Sequence, residues 1–179
     1  MIKDAILKER KLENCGLICK RDRSHIYKVR HIETGAFFCL KRLTDDKRFS
    51  YTYEQSYINY AALRSKCGKG IPLVHVFDAW RDKEGVFYVL MEYLDGYTRL
   101  EYAHMDPRVD VIEKHLIKNG YFMIDLAPIN FMVKGDDIKM VDLDTMAKID
   151  DFPVDAHEPL PELSWYGSRV LKHKSGRLK

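Results

Sequence analysis

Hydrophobic residues, several of them β-branched or aromatic, are grouped with polar ones in three early stretches, "GLICKRD", "HIYKVRHI" and "AFFCLKRL". They read as strands, the first two joined around Arg23 and Ser24, with "ETG" turning the chain into the third. The pattern then lengthens. In "FSYTYEQSYINYAALRSKCGKG" the positions Glu54, Tyr57, Ile58 and Ala61 fall three, four and seven apart, so they share one face of a predicted helix that stops at the glycines. "LVHVFDAW" and "VFYVLMEYL", separated by "RDKEG", predict a hairpin.

A boundary follows, because "DGYTRLEYAHM" carries no clear period and reads as a short linker. "DPRVDVIEKHLIKNG" is punctuated as a helix. Asp106 can cap it, Pro107 suits its first turn, Asn119-Gly120 close it, and Val109, Ile112 and Leu116 give it a buried stripe. Beyond it lie "YFMI", the run "MIDLAPINFMV", and a predicted hairpin of "FMV" and "IKMV" across "KGDD". The last 35 or so residues read as irregular until a short helix at "ELSWYGSRVL".

Composition changes this picture little. A chain of 179 residues makes one domain, or two small lobes sharing a core. Its 30 Lys and Arg against 27 Asp and Glu do not demand nucleic acid or a membrane as partner. "MIKDAILKERKLENC" is charged throughout and holds no signal-peptide core, and no run is long enough to span a bilayer, so a soluble cytoplasmic protein is expected. Cys15, Cys19, Cys39 and Cys67 make no C-x-x-C pair and read as reduced thiols packed as small hydrophobes, rather than metal ligands with His25 or His31. "SKCGKG" lacks the Gly-Lys-Ser/Thr ending of a P-loop. The tyrosines of residues 51 to 60 read as core and helix surface rather than a nucleic-acid platform, and Trp80 and Trp165 as packing residues. The basic tail "RVLKHKSGRLK" offers a contact for an anionic membrane or glycolipid, though a solvated tail is the plainer reading.

Five polar residues stand where propensity alone would not place them. Lys41 lies in an apolar strand, where a lysine is costly unless an anion meets it or its end reaches solvent. Glu54 shares a helix face with apolar residues and wants a cation there, unless it sits at the exposed edge of the stripe. Asp125 and Asn130 flank Pro128 between apolar segments, and Asp142 follows the strand "IKMV". Capping and turn formation account for such residues one at a time. Together, carboxylate, amide and carboxylate make an oxygen-rich set suited to Mg2+, which keeps several waters and takes further oxygens from phosphates.

In this order the residues resemble the protein-kinase-like superfamily over roughly residues 15 to 146. "FFCLKRL" is similar to the strand bearing the phosphate-binding lysine, here Lys41, and Glu54 to the helix glutamate that pairs with it. "FYVLMEYLDG" resembles the strand and hinge that hold adenine, which implies Met91 at the back of the pocket and backbone contacts from Glu92 and Leu94. "DLAPIN" resembles the catalytic loop, with Asp125 orienting the acceptor hydroxyl and Asn130 a metal ligand, and Asp142 of "VDLD" resembles the magnesium aspartate. The resemblance implies ATP and Mg2+ and a two-lobed α+β fold. Residues 1–96 would form an N-lobe of five antiparallel strands and one helix, and 97–179 a truncated helical C-lobe.

The chain also departs from that pattern. No glycine occurs between residues 17 and 34, so Arg21, Arg23, Ser24 and His25 would have to meet phosphates through side chains. Met123-Ile124 replace the usual His-Arg, Ala127 the usual lysine, and Leu143-Asp144 the usual Phe-Gly. "PLPEL" echoes only faintly the A-P-E segment. The layout is similar to the minimal kinases that some bacteria secrete as effectors, and also to lipopolysaccharide core heptose kinases. Transfer of phosphate to a protein hydroxyl, with help from an activating partner protein, is the leading expectation. A sugar or other small-molecule kinase is the first alternative and a pseudokinase binding module the second.

Overall fold

The computed structural model describes residues 2–43, 47–48, 51–68, 70–101 and 106–151. In chain order it runs α1 (Asp4–Glu9), β1 (Leu12–Lys20), β2 (Ser24–His31), β3 (Phe37–Leu43), β4 (Lys47–Arg48), β5 (Tyr51–Thr52), α2 (Tyr53–Cys67), β6 (Val76–Arg81) and β7 (Phe87–Glu92). It continues with β8 (Thr98–Arg99), α3 (Pro107–Lys118), β9 (Tyr121–Met123), β10 (Phe131–Lys134), β11 (Asp137–Met140) and β12 (Met146–Lys148). The architecture is α+β, divided into two units: Met1–Lys47 with Val74–Asp95, and Arg48–Leu73 with Gly96–Lys179. Residues 48–73, which the sequence reading placed in a lobe of residues 1–96, therefore group with the second unit.

The first unit is built on a five-stranded antiparallel sheet of order β1-β2-β3-β7-β6, with β3 at its centre. Period-two alternation sorts its side chains. Tyr27, Val29, Leu40 and Tyr88 form one core with Ile2, Ile6, Leu7 and Leu12. The helix α1 was hidden in the charged opening of the chain, yet Asp4 in its first turn and Lys8 in its last suit the helix dipole. Ile6 and Leu7 supply the buried side, at about 2 kcal/mol each as an upper figure. Trp80 packs as expected, stacked on Tyr88 at 5.5 Å, with the Arg10 guanidinium 4.2 Å from its ring and ion-paired to Asp78. The edge strand β1 is mostly exposed and irregular in register, with Gly16 at φ 129° within one break.

In the second unit Thr52 caps α2, its hydroxyl accepting from the Gln55 N–H at 3.2 Å, and Gly68 at φ 58° ends it. The helix forms where expected but buries a different face. Ile58 is 52% exposed, and Glu54 and Ala61 also face solvent. The buried side is Tyr53, Ser56, Tyr57, Asn59, Tyr60 and Leu63. Polar groups make that side worth burying: Asn59 donates to the Met146 carbonyl at 3.0 Å and Ser56 to the Asp144 carbonyl at 2.8 Å. Arg64, one turn on, donates to the carbonyls of Gly68, Ile71 and Leu73 and ties down the segment that follows the helix.

Helix α3 keeps its expected punctuation. Asp106 accepts from the Arg108 N–H at 2.9 Å, Pro107 occupies the first turn, and Val109, Ile112 and Leu116 are buried. Behind it β9 pairs with β12, and β8, β10 and β11 form a three-stranded sheet. Both β8, inside the expected linker, and β12, inside the expected irregular stretch, are too short to leave a periodic trace. The expected helix at "ELSWYGSRVL", the "PLPEL" segment, Trp165 and the basic tail lie outside the described residues. No helix among the described residues is long and apolar enough to cross a membrane.

Candidate functional site

The loop Asp125–Asn130 is closed by its own last residue. Asn130, 2% exposed, donates its side-chain amide to the Asp125 carbonyl at 3.0 Å, and its N–H meets the Ala127 carbonyl at 2.9 Å across a 3-10 turn opened by Pro128. Buried Ile124, Leu126 and Phe131 anchor both ends, so an apolar run can carry a polar turn without loosening. The Asn130 amide nitrogen is committed to this closure. Its Oδ1 accepts no hydrogen bond among the described residues.

The β10–β11 ladder sets Asp142 beside this loop. Phe131 pairs with Met140, and one step further the Val141 N–H donates to the Asn130 carbonyl at 2.8 Å, placing Asp142 at the root of the hairpin. Asn130 thus lies opposite Val141 and Asp142 is the next residue along, and both Asn130 and Asp142 offer hard oxygen donors. Among the described residues no cluster of three or more His, Cys, Asp or Glu forms a closed metal site. A magnesium ion held by one amide oxygen and one carboxylate, completing its shell with water and phosphate oxygens, needs no such cluster.

Sequence reasoning missed the residues that fix this arrangement. Thr145, 1% exposed, accepts the Asp125 N–H on its hydroxyl at 3.2 Å and the Ile124 N–H on its carbonyl at 3.1 Å. Asp144, 3% exposed, accepts from the Tyr57 hydroxyl at 2.8 Å and turns its own N–H toward Asp142 Oδ1 at 3.4 Å. Burial, reinforced by the Asp144 and Asp142 carboxylates, holds the Tyr57 phenol well above its ordinary range, so it stays a donor. The only local signal was the departure of "DLD" from the resemblance, which marked Asp144 without revealing its partner.

In the first unit Lys41 is 3% exposed at the centre of the sheet, in register with Ile26 and Val89. It points away from the core face that Leu40 shares with α1. Met91 is buried on the same face as Lys41, two positions along β7 from Val89. The Glu92 N–H donates to the His75 carbonyl at 2.9 Å, and the Leu94 backbone makes no hydrogen bond among the described residues. Ser24, 8% exposed, opens β2 after a turn in which the Arg21 N–H donates to the Ser24 carbonyl at 2.8 Å. Lys20, His25 and Arg42 meet across the strands there, and burial together with the Arg42 and Lys20 charges draws the His25 imidazole below its ordinary value.

None of the four cysteines is in a disulfide, but they are not uniformly packed as expected. Cys15 is exposed on the edge strand, and Cys19, Cys39 and Cys67 are half-buried. Burial pushes the Cys39 thiol up to about 11. No protein-family model matches the chain, and no curated protein matches it either.

Proposed function

We propose that the chain is a minimal, protein-kinase-like phosphotransferase that moves the γ-phosphate of ATP to a protein hydroxyl. The observation that carries the reading is the closed Asp125–Asn130 loop with Asp142 registered beside it. Asn130 and Asp142 hold Mg2+, and Asp125 orients the acceptor hydroxyl. Lys41 neutralises the nucleotide phosphates. Met91, Glu92 and Leu94 form the adenine subsite, and Ser24 lies at the phosphate loop. The buried setting of Lys41 supports its role, since an ammonium held away from water favours a nearby anion. The transfer itself asks for positioning and charge neutralisation rather than covalent help.

The fold implied is two-lobed and kinase-like. The protein acts in the cytoplasm, that of a host cell if it is exported, with the help of an activating protein partner. Ala127, where a lysine is usual in protein kinases, favours a second reading: a kinase for a lipopolysaccharide-core sugar or another small hydroxyl compound.

The test is transfer from ATP labelled in the γ-phosphate, with Mg2+, into the protein itself and a cell extract, beside Asp142→Asn. Label passed by the wild type and not by the variant supports the enzyme, and the labelled species separates protein from glycolipid acceptors. Absence of both transfer and nucleotide binding refutes it. Nucleotide binding with no transfer, even with extract present, leaves a pseudokinase.

A further inference from the structure

Helix α2 and Asp142 are joined through one intermediate residue. The adjacent residues Ser56 and Tyr57 grip Asp144 at two points, the first donating to its carbonyl and the second to its carboxylate, both at 2.8 Å. All three are buried: Ser56 is 0%, Tyr57 5% and Asp144 3% exposed. So held, Asp144 has its N–H directed at Asp142 Oδ1, 3.4 Å away. Two donors from one buried helix face fix the Asp144 backbone and side chain together, more firmly than a turn requires.

We propose that Ser56, Tyr57 and Asp144 are positioning residues for a divalent cation, through which α2 sets the orientation of the Asp142 carboxylate. The inference rests on Asn130 and Asp142 being the cation pair. It adds to that site the residues that hold one of its ligands in place. Partners of this kind around metal ligands change metal affinity by roughly 10- to 100-fold when removed.

The test measures Mn2+ binding by electron paramagnetic resonance on the full chain with a non-hydrolysable ATP analogue, so that turnover is not needed. Tyr57→Phe is expected to weaken Mn2+ binding about tenfold. Asp144→Asn, which still accepts from Tyr57 and keeps its N–H, should bind Mn2+ within about threefold of wild type. Circular dichroism establishes that each variant is folded. Ser56→Ala is the milder variant should Tyr57→Phe not fold, and it should weaken binding severalfold. Wild-type affinity in folded Tyr57→Phe, or in Ser56→Ala where that variant replaces it, overturns the inference while leaving the cation site standing. Failure of the wild type to bind Mn2+, or undiminished binding by Asp142→Asn, removes the cation site and the inference together.

Discussion

Replacing Arg64 with methionine keeps an unbranched stem of similar reach and removes every donor at its end. The guanidinium now meets the carbonyls of Gly68 at 2.9 Å, Ile71 at 3.2 Å and Leu73 at 2.6 Å, and Nε donates to the Tyr60 hydroxyl at 3.2 Å. A buried hydrogen bond to a charged group is worth about 1.5–3 kcal/mol. Arg64 is half-buried, so about 1 kcal/mol per carbonyl is the fairer figure, or about 3 kcal/mol for the three. The segment it holds leads directly to the hairpin of the candidate site, because the Met140 N–H donates to the Pro72 carbonyl at 3.0 Å and Leu73 bridges Met140.

The Met140 amide is therefore the reporter. If segment 70–73 lets go, its hydrogen exchange should accelerate by about 100-fold in Arg64→Met, the factor that about 3 kcal/mol implies. Arg64→Lys carries the charge on a single nitrogen without the planar fork and should recover no more than about a third of the loss. Unchanged Met140 exchange in Arg64→Met, with an unchanged denaturation midpoint, would refute the claim that this arginine holds the segment.

Three other outcomes follow from particular contacts. Asn130→Ala should lose both cation binding and the loop closure, at about 1–3 kcal/mol, whereas Asn130→Asp loses the closure but keeps an oxygen ligand; denaturation and Mn2+ binding measured together separate the two effects. Cys39, with its thiol at about 11 instead of the usual 9, holds about 100-fold less thiolate at pH 8 than an ordinary cysteine, so timed alkylation read by mass spectrometry should modify the exposed Cys15 well before it. Hydrogen bonding by Arg108 holds the Asp106 carboxyl below its usual value, so the cap's contribution is fully present above about pH 4 and is lost as pH falls through the lower folded value. Asp106→Ala should accordingly cost about 1 kcal/mol at pH 7 and much less near pH 2, read from thermal unfolding.

What the sequence revealed depended on whether the signal was local. Strands β2, β3, β6 and β7 each carry their own alternation or apolar run, and α3 is marked at both ends by Asp106, Pro107 and Asn119-Gly120. The Asp125–Asn130 loop was visible as polar residues within an apolar run, although its closure by the Asn130 amide was not. Helix α2 was legible as a helix and misread as a surface. Counting apolar positions favours Ile58, whereas the buried face is chosen by Ser56, Tyr57 and Asn59, whose partners lie 87 or 88 residues further along. No local pattern announces a hydrogen bond over that separation. Asp144 and Thr145 were overlooked for the same reason.

That separation also has a history in time. During synthesis β1, β2 and β3 emerge together, but β3 waits for β7, its neighbour on the other side, until α2 has been made. Helix α2 waits longer. At ordinary translation rates the 87 residues between Tyr57 and Asp144 take on the order of ten seconds to appear. An oily helix face left open for so long invites aggregation with other nascent chains. The face that α2 keeps open includes hydroxyl and amide groups that water can satisfy in the interval, and it becomes dry only when the residues it recognises arrive.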